Sequence, residues 1–172
     1  RNPSHLGLIA HTGTAYYLER RYDRAIASYE SALAIHPDHL FALGFCAISN
    51  AFSGRFQPAD ALGRKLLARA RDVPLARSIC GTICAMRGAE SQARHALRWL
   101  RSPRPREASP LLLAAVEATL GEHDAAMRYL EASVEDRFPA LCVLAVDPIW
   151  DPLRDRDEFQ RLLVALNLGG IG

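Results

Sequence analysis

The stretch RRYDRAIASYESALAIHP, residues 20–37, decides the fold class of this chain. Ala25, Tyr29 and Ala32 stand four and three positions apart, so they share one face of an α-helix. The two small side chains let a neighbouring helix approach closely, and the tyrosine ring fills the space between them. Pro37 ends the helix, because it lacks an amide hydrogen and disfavours helical backbone in the residue before it. The stretch therefore predicts a helix that packs against other helices.

The same pattern returns three times along the chain. The first stretch begins at Arg20, and the later ones begin at Gly54, Gly88 and Gly121, in steps of 34, 34 and 33 residues. A fixed period near this length, combined with helical patterning, predicts an array of helical repeats. The corresponding packing positions are Ala59, Gly63 and Leu66, then Ala93, Leu97 and Leu100, then Ala126, Leu130 and Ser133.

A second amphipathic stretch precedes each of these segments, so every unit reads as helix, tight turn, helix. We expect Asp38 and Ser109 to cap two of the first helices, and Pro74 and Pro110 to lie in a first helical turn. The three glycines that lead the later segments fit the left-handed position that closes a helix. The units run over about 4–37, 38–73, 74–107 and 108–138, followed by a cap segment at 139–168, in one array that spans residues 1–172.

The first unit resembles the tetratricopeptide repeat family. Its signature residues here are Gly13, Tyr16, Ala25, Tyr29, Ala32 and Pro37, whereas units two to four keep the turn and small-residue positions and lose the aromatic ones. The resemblance covers about residues 4 to 138 and implies an all-α, right-handed α-solenoid. It says little about activity, because the signature residues are packing residues shared by arrays of many functions.

The stretch VDPIWDPLRDRDEFQRLL, residues 146–163, is predicted to close the array. The last unit of a solenoid leaves an apolar face uncovered and needs a cap that is polar on its outer side. Trp150 and Leu153 are expected to wedge the connecting loop against the last unit, with Asp155 capping the final helix and Asp157 in its first turn. The apolar stripe of that helix is Phe159, Leu162, Leu163 and Leu166.

Residues 137–168 also resemble the closing segment of a bacterial subset of such arrays. The matching features are Asp147 with Pro148, then Asp151 to Arg154, then Phe159 with Leu162 and Leu163. These arrays resemble the C-terminal part of multidomain signalling proteins. The four cysteines lie inside apolar stretches rather than in a disulfide-dense small scaffold, which favours a reduced, cytoplasmic setting. The resemblance suggests a class III adenylate or guanylate cyclase as the parent, then a winged-helix transcription regulator, then a serine/threonine kinase. The chain opens with Arg1 and has no charged-then-apolar leader, so we expect a piece of a longer protein.

Composition excludes several classes of function. Hydrophobic residues make up 49% and charged residues 23%, which is typical of a folded globular chain. A net charge of +2 argues against general binding of nucleic acid. No apolar run approaches the ~20 residues that a membrane span requires. The sequence holds neither a nucleophile motif nor a glycine-rich phosphate loop, so we expect no catalysis and no cofactor.

Two possible metal sites compete with ordinary packing. The five acidic residues between positions 147 and 158 lack the glycine and the ligand spacing of a calcium loop. Cys80 and Cys84 share a helix face and would supply half of a zinc site, with a histidine as a third ligand in the remote alternative of a metal protein or enzyme. No matching pair of ligands stands nearby, so core packing is the expectation. His36 and His39 read as turn residues.

Arg94, Arg98 and Arg101 share a helix face, and Arg104 and Arg106 follow them. This face either docks an acidic partner or is a solvated surface on which the arginine stems cover apolar groups.

The resemblance also implies a binding groove, lined by the first helix of each unit. The lining positions are Ala10, Thr14 and Tyr17, then Gly44, Ile48 and Phe52, then Ser78, Thr82 and Met86, with Phe41 at the edge. The groove lacks the basic clamp with which some cochaperones of the family hold a peptide carboxylate. An apolar peptide, a helix or a second copy of the chain suits it better.

We therefore expect a protein-interaction module with Tyr17, Phe41 and Phe52 as binding hot spots, so that a charge at Phe52 would weaken partner binding. The alternative is a self-association module that dimerises a cyclase or regulator. If the groove has no ligand, it is filled by further repeats or unused.

Overall fold

The computed structural model describes residues 3–102, 108–135 and 139–169. These residues form α-helices and two 3₁₀ helices, with no β-strand among them. No helix within the described ranges is both long and apolar enough to cross a membrane. The α-helices are α1 (Pro3–Leu18), α2 (Tyr22–Ile35), α3 (Leu40–Phe52), α4 (Phe56–Arg69), α5 (Pro74–Met86), α6 (Glu90–Arg101), α7 (Pro110–Thr119), α8 (His123–Glu135) and α9 (Asp157–Ala165), and the 3₁₀ helices span Pro139–Val143 and Pro148–Leu153.

Successive helices pack as antiparallel pairs: α1 with α2, α3 with α4, α5 with α6, and α7 with α8. The first helices of the pairs also contact one another in the order α1, α3, α5, α7. Each second helix packs in addition against the first helix of the following pair. The chain is thus an all-helical, repeat-like array whose first helices form a continuous layer, as the period of the sequence predicts.

The turn inside each pair has left-handed backbone at its closing residue. Gly54, Gly88 and Gly121 have φ of 75°, 79° and 81°, which confirms the prediction for these glycines. The equivalent residue of the first pair is Arg20, with φ 59°, although an L-residue adopts this backbone only at a cost.

The repeating packing positions lie in the core. Ala25, Tyr29 and Ala32 are fully buried. A Cβ added to Gly13 would lie 2.7 Å from the Tyr29 ring, so α1 and α2 approach too closely for a larger residue. Small residues therefore set the spacing within the first pair. The later pairs bury Ala59 and Leu66, Ala93 and Leu97, and Ala126 and Leu130.

The predicted helix starts are correct at two prolines and wrong at Asp38. Pro74 and Pro110 lie in first turns. The cap of α3 is His39, whose Nδ1 accepts from the Ala42 amide, because Asp38 instead pairs with Arg69 at 3.1 Å.

Two further caps depart from expectation. Ser109 occupies the N-cap position of α7, but its hydroxyl makes no capping hydrogen bond. The final helix α9 begins one residue later than Asp155 implies: Arg156 is its N-cap, without a side-chain bond, and Asp157 lies in the first turn as predicted.

The end of the chain packs against the last helix pair as a cap. Trp150 and Leu153 are buried in one apolar cluster with residues of α7 and α8. Phe159 and Leu163 of α9 are buried in the same cluster, with Leu162 and Leu166 packed at its border. The predicted wedge and the predicted apolar stripe are both confirmed.

Candidate functional site

The predicted groove residues lie on the first helices, but few of them have open surface. Ala10, Tyr17, Ile48 and Thr82 are buried. The partly buried ones are Thr14, Phe41, Phe52 and Met86. Gly44 is enclosed between helices, since a Cβ there would lie 2.7 Å from Ile79 Cδ1, and Ser78 is buried with its hydroxyl on the Leu112 carbonyl.

All three predicted hot spots belong to an aromatic cluster between α1, α2 and α3, in which Phe41 packs against Phe45. The Tyr17 ring meets Phe45 and Phe52 edge-on, with centroids 5.9 and 5.8 Å apart. Phe52 stacks on Tyr22 at 5.5 Å. A charge at Phe52 would therefore disturb internal packing as well as any ligand, which makes it a poor probe of binding.

The Tyr17 hydroxyl reaches across the molecule. It donates to Asp147 Oδ1 at 2.8 Å, although 130 residues separate the two in sequence. Burial raises the pKa of Tyr17 well above its ordinary value, and the neighbouring Asp147 carboxylate raises it further. The phenol is thus held as a neutral donor.

Asp147 is held by two donors within a low-dielectric site. Its Oδ1 accepts from the Ile149 amide at 3.0 Å and from Tyr17. Burial nevertheless raises the pKa of Asp147, and the hydrogen bonds from Ile149 and Tyr17 offset only part of that rise. The pKa therefore stays above the value of an exposed aspartate, so docking this carboxylate carries an electrostatic cost.

Arg20 makes the second contact between the two ends of the array. Its Nη2 lies 2.6 Å from Asp151 Oδ1, and its Nη1 donates to the Val146 carbonyl at 3.3 Å. The same Asp151 oxygen accepts from Arg154 Nε at 2.6 Å. Because α3 and α5 lie between α1 and α7, these contacts mean that the array bends until its ends meet.

An apolar cleft opens on the layer of first helices, between α3 and α5. Its volume is about 170 Å³. Phe41 is the one lining residue that the sequence predicts for the groove, and the rim residues Leu40, Val73 and Leu75 are 41%, 38% and 43% exposed. The remaining lining residues are Phe45, Leu66, Ala70, Ala76 and Ile79.

The sequence does carry a signal for this cleft. Leu40 and Leu75 stand at the very start of their helices, outside the buried stripe, where a solvated helix usually presents polar residues. An exposed leucine in the first turn of two successive first helices marks an exposed apolar edge.

A second cavity lies between α4, α5 and α6. It measures about 340 Å³ and has the Asp60–Arg87 ion pair, at 3.1 Å, on its wall. Cys80 and Cys84 border it, with Cys80 Sγ donating to the Gly63 carbonyl at 3.5 Å. Burial raises the pKa of Cys80 to about 12, so its thiol stays protonated and is a poor nucleophile.

The described residues hold no group of three or more histidine, cysteine or acidic side chains arranged to bind a metal. In the 146–163 stretch, Asp147 and Asp151 serve as acceptors for Tyr17, Arg20 and Arg154.

The basic face of α6 is engaged within the molecule. Arg94 bonds Glu90 and Glu122, each at 2.8 Å. Arg101 pairs with Glu117, which is 2% exposed. Burial raises the pKa of Glu117, and the positive charge of Arg101 offsets part of that rise. Two of the predicted arginines thus bind the fourth helix pair, while Arg98 is exposed. Arg104 and Arg106 lie outside the described residues.

Comparison with protein-family models, with curated proteins and with solved structures finds no match for this chain. The candidate site is therefore defined by its geometry.

Proposed function

We propose that this chain is a tetratricopeptide-like, right-handed solenoid that recognises another protein through its layer of first helices, without catalysis. The observation that carries the proposal is the apolar cleft between α3 and α5, whose rim leaves three large apolar side chains substantially exposed. Exposed apolar surface that is grouped around a concave site is typical of binding surfaces.

The cleft suits an apolar side chain from an extended or helical peptide. A cavity of about 150 Å³ holds a benzene ring, so the cleft has room for one aromatic or branched side chain. Phe41 and Phe45, whose centroids are 4.4 Å apart, supply a rigid aromatic wall. An anchor residue in such a pocket is the usual source of affinity in peptide recognition.

Selection of displayed random peptides on the purified chain tests this proposal. The wild type is expected to enrich peptides with a common aromatic or leucine anchor. Leu40→Glu and Leu75→Glu place a carboxylate on the rim within first helical turns, where negative charge is compatible with the helix. Each substitution is expected to weaken the affinity for the selected peptides at least about tenfold, which corresponds to ~1.4 kcal/mol.

The matched control is Val164→Glu, which adds the same charge at a 68% exposed residue of α9. Equal binding by the rim variants and by this control would reject the cleft as the site. A concentration-dependent mass in light scattering, abolished by the rim variants, would favour the self-association alternative.

The wider setting is a proposal that rests on the resemblance of the 137–168 stretch. We place the module in a bacterial cytoplasmic signalling protein, with a nucleotide cyclase or a winged-helix regulator as parent. Sequencing the coding region upstream of Arg1 tests this proposal. A cyclase or DNA-binding domain there would support it, and an upstream reading frame that encodes only further repeats would oppose it.

A further inference from the structure

The polar contacts between the array's two ends form a small site on α1 and the turn after it. Its two donors are the Tyr17 hydroxyl and the Arg20 guanidinium, one turn apart, and its occupants are the Asp147 and Asp151 carboxylates. The Val146 carbonyl adds a third contact, to Arg20. The site is distinct from the apolar cleft and does not depend on it.

Arg20 shows that the site is more than an incidental surface contact. At the three equivalent turns the residue is glycine, which adopts left-handed backbone freely. Arg20 adopts the same backbone at a steric cost, and its guanidinium is the group that meets the 146–151 segment. Strain retained at one of four equivalent positions points to a role for that side chain.

The Tyr17 hydroxyl is the second fixed donor. The ring is fully buried among aromatic side chains, so the hydroxyl cannot turn towards solvent and is satisfied by Asp147. A phenol fixed in this way offers one directed hydrogen bond to an incoming acceptor.

The occupant is anchored mainly elsewhere, and its ion pair with Arg20 adds little to its docking. Trp150 and Leu153 are buried in a cluster with residues of the last helix pair and α9, and that cluster contains no residue of α1. Arg20 and Asp151 are 44% and 43% exposed, and ion pairs of that exposure contribute little. Burial also opposes the charge of Asp147. The carboxylates can therefore leave α1 while the cap stays folded.

We propose that Tyr17 and Arg20 form a binding site for an acidic segment of a partner protein, one that presents two carboxylates four residues apart, and that Asp147 and Asp151 are the resident occupant that such a partner displaces. A second copy of this chain is a weaker competitor, because every copy presents its 146–151 segment already docked on its own α1.

The test uses a fluorescent peptide of residues 144–153 as probe, with the full chain as receptor. Asp147→Asn with Asp151→Asn removes the charge of the resident occupant, while the amide oxygen introduced at position 147 can still accept from the Ile149 amide. A tethered occupant competes at a high effective concentration, so this double variant is expected to bind the probe at least about tenfold more tightly than the wild type.

Two controls define the site. Tyr17→Phe with Arg20→Ala, added to the double variant, is expected to abolish the gain, and a probe with both aspartates replaced by asparagine is expected to bind no better to the variant than to the wild type. If the double variant unfolds, the measurement is repeated with Asp151→Asn alone, because Asp151 is exposed. The gain in affinity for the probe is then expected to be smaller.

Equal affinities for wild type and variant, or a gain that survives loss of Tyr17 and Arg20, would overturn the proposal. Dimerisation of the wild type that disappears in the double variant would overturn the assignment to a partner protein. None of these results bears on the Leu40 and Leu75 variants, so the two proposals fail separately.

Discussion

Arg20 and Gly54 occupy the same position in equivalent turns, and both have left-handed backbone, which glycine adopts more readily than arginine. Gly54 has φ 75° and nothing within 4 Å of the position that a Cβ would take. A side chain there meets no neighbour, so backbone strain alone decides the effect of a substitution. Gly54→Ala is expected to lower the free energy of unfolding by about 1 kcal/mol.

Urea denaturation of Gly54→Ala and Gly7→Ala measures this effect against a matched control. Gly7 lies inside α1, has ordinary φ and also has free space around a Cβ. Gly7→Ala is expected to raise the free energy of unfolding by up to about 1 kcal/mol, because alanine is the better helix former. The same sign for both substitutions would contradict the account of the turn.

Asp147 predicts a pH dependence of stability. Burial raises its pKa above the ordinary 3.8, so the folded state binds a proton more readily than the unfolded state. The contribution of Asp147 to the free energy of unfolding is therefore fully present below its ordinary pKa, and it is lost as pH rises through its raised pKa in the folded state. Relative to Asp147→Asn, the wild type is expected to gain unfolding free energy as pH falls from about 7 to about 4.

Tyr17→Phe sharpens the pH measurement. The tyrosine's hydrogen bond lowers the pKa of Asp147, so its removal is expected to raise that pKa further and enlarge the gain on acidification. A difference between wild type and Asp147→Asn that does not change with pH would show that this carboxyl is not buried in the folded state.

Contacts between helices depend on two glycines that differ in what surrounds them. A Cβ at Gly44 would meet the end of the Ile79 side chain, which can turn away. A Cβ at Gly81 would lie 2.9 Å from Ala96 Cβ and 3.2 Å from Val116 Cγ2, which belong to the helices on either side. Alanine has no rotamer with which to yield, so α5 itself would have to move.

Gly81→Ala is therefore expected to destabilise the chain by about 1 to 3 kcal/mol, and more than Gly44→Ala does. The loss is expected to shrink when Ala96→Gly is added, since the nearest Cβ is then gone. Urea unfolding of the four proteins of this cycle gives the coupling. Additive effects of Gly81→Ala and Ala96→Gly would show that α5 and α6 are not this close.

The helical elements are predictable from local chemistry, and the site is not. A period of about 34 residues, turn glycines and the small residues of each pair are local features, so the sequence places the helix pairs and the cap. Asp38 fails as a cap because a distant residue, Arg69, competes for its carboxylate. The Tyr17–Asp147 contact depends on how far four pairs bend together, which no local pattern encodes.

At the scale of the whole molecule, the array departs from a one-dimensional stack. In an open solenoid each unit contacts its neighbours alone, and stability is nearly a sum of local terms. Here α1 also contacts the 146–151 segment, which is anchored on the last pair. The ends are therefore coupled energetically, and a change in the cap should reach the first helix directly.

The Arg20–Asp151 pair predicts a modest sensitivity of this closure to salt. Both side chains are nearly half exposed, so the pair contributes about 0.2 to 1 kcal/mol and is screened by added salt. Arg20→Ala is expected to reduce the loss of unfolding free energy between low and high salt. The control is Arg21→Ala, because Arg21 pairs with Glu19, two residues away in sequence, and not with the 146–151 segment. An unchanged salt dependence in Arg20→Ala would contradict a contribution from this pair.

The contact between the two ends is tested most directly by a double-mutant cycle of unfolding free energies for Tyr17→Phe and Asp147→Ala. The contact predicts a coupling of about 1 kcal/mol or more, since the hydrogen bond is made to a carboxylate. The control cycle pairs Tyr17→Phe with Asp124→Ala, whose partner is Arg156, and predicts a coupling within about 0.5 kcal/mol of zero. A coupling of zero between Tyr17 and Asp147 would mean that the ends of the array do not meet.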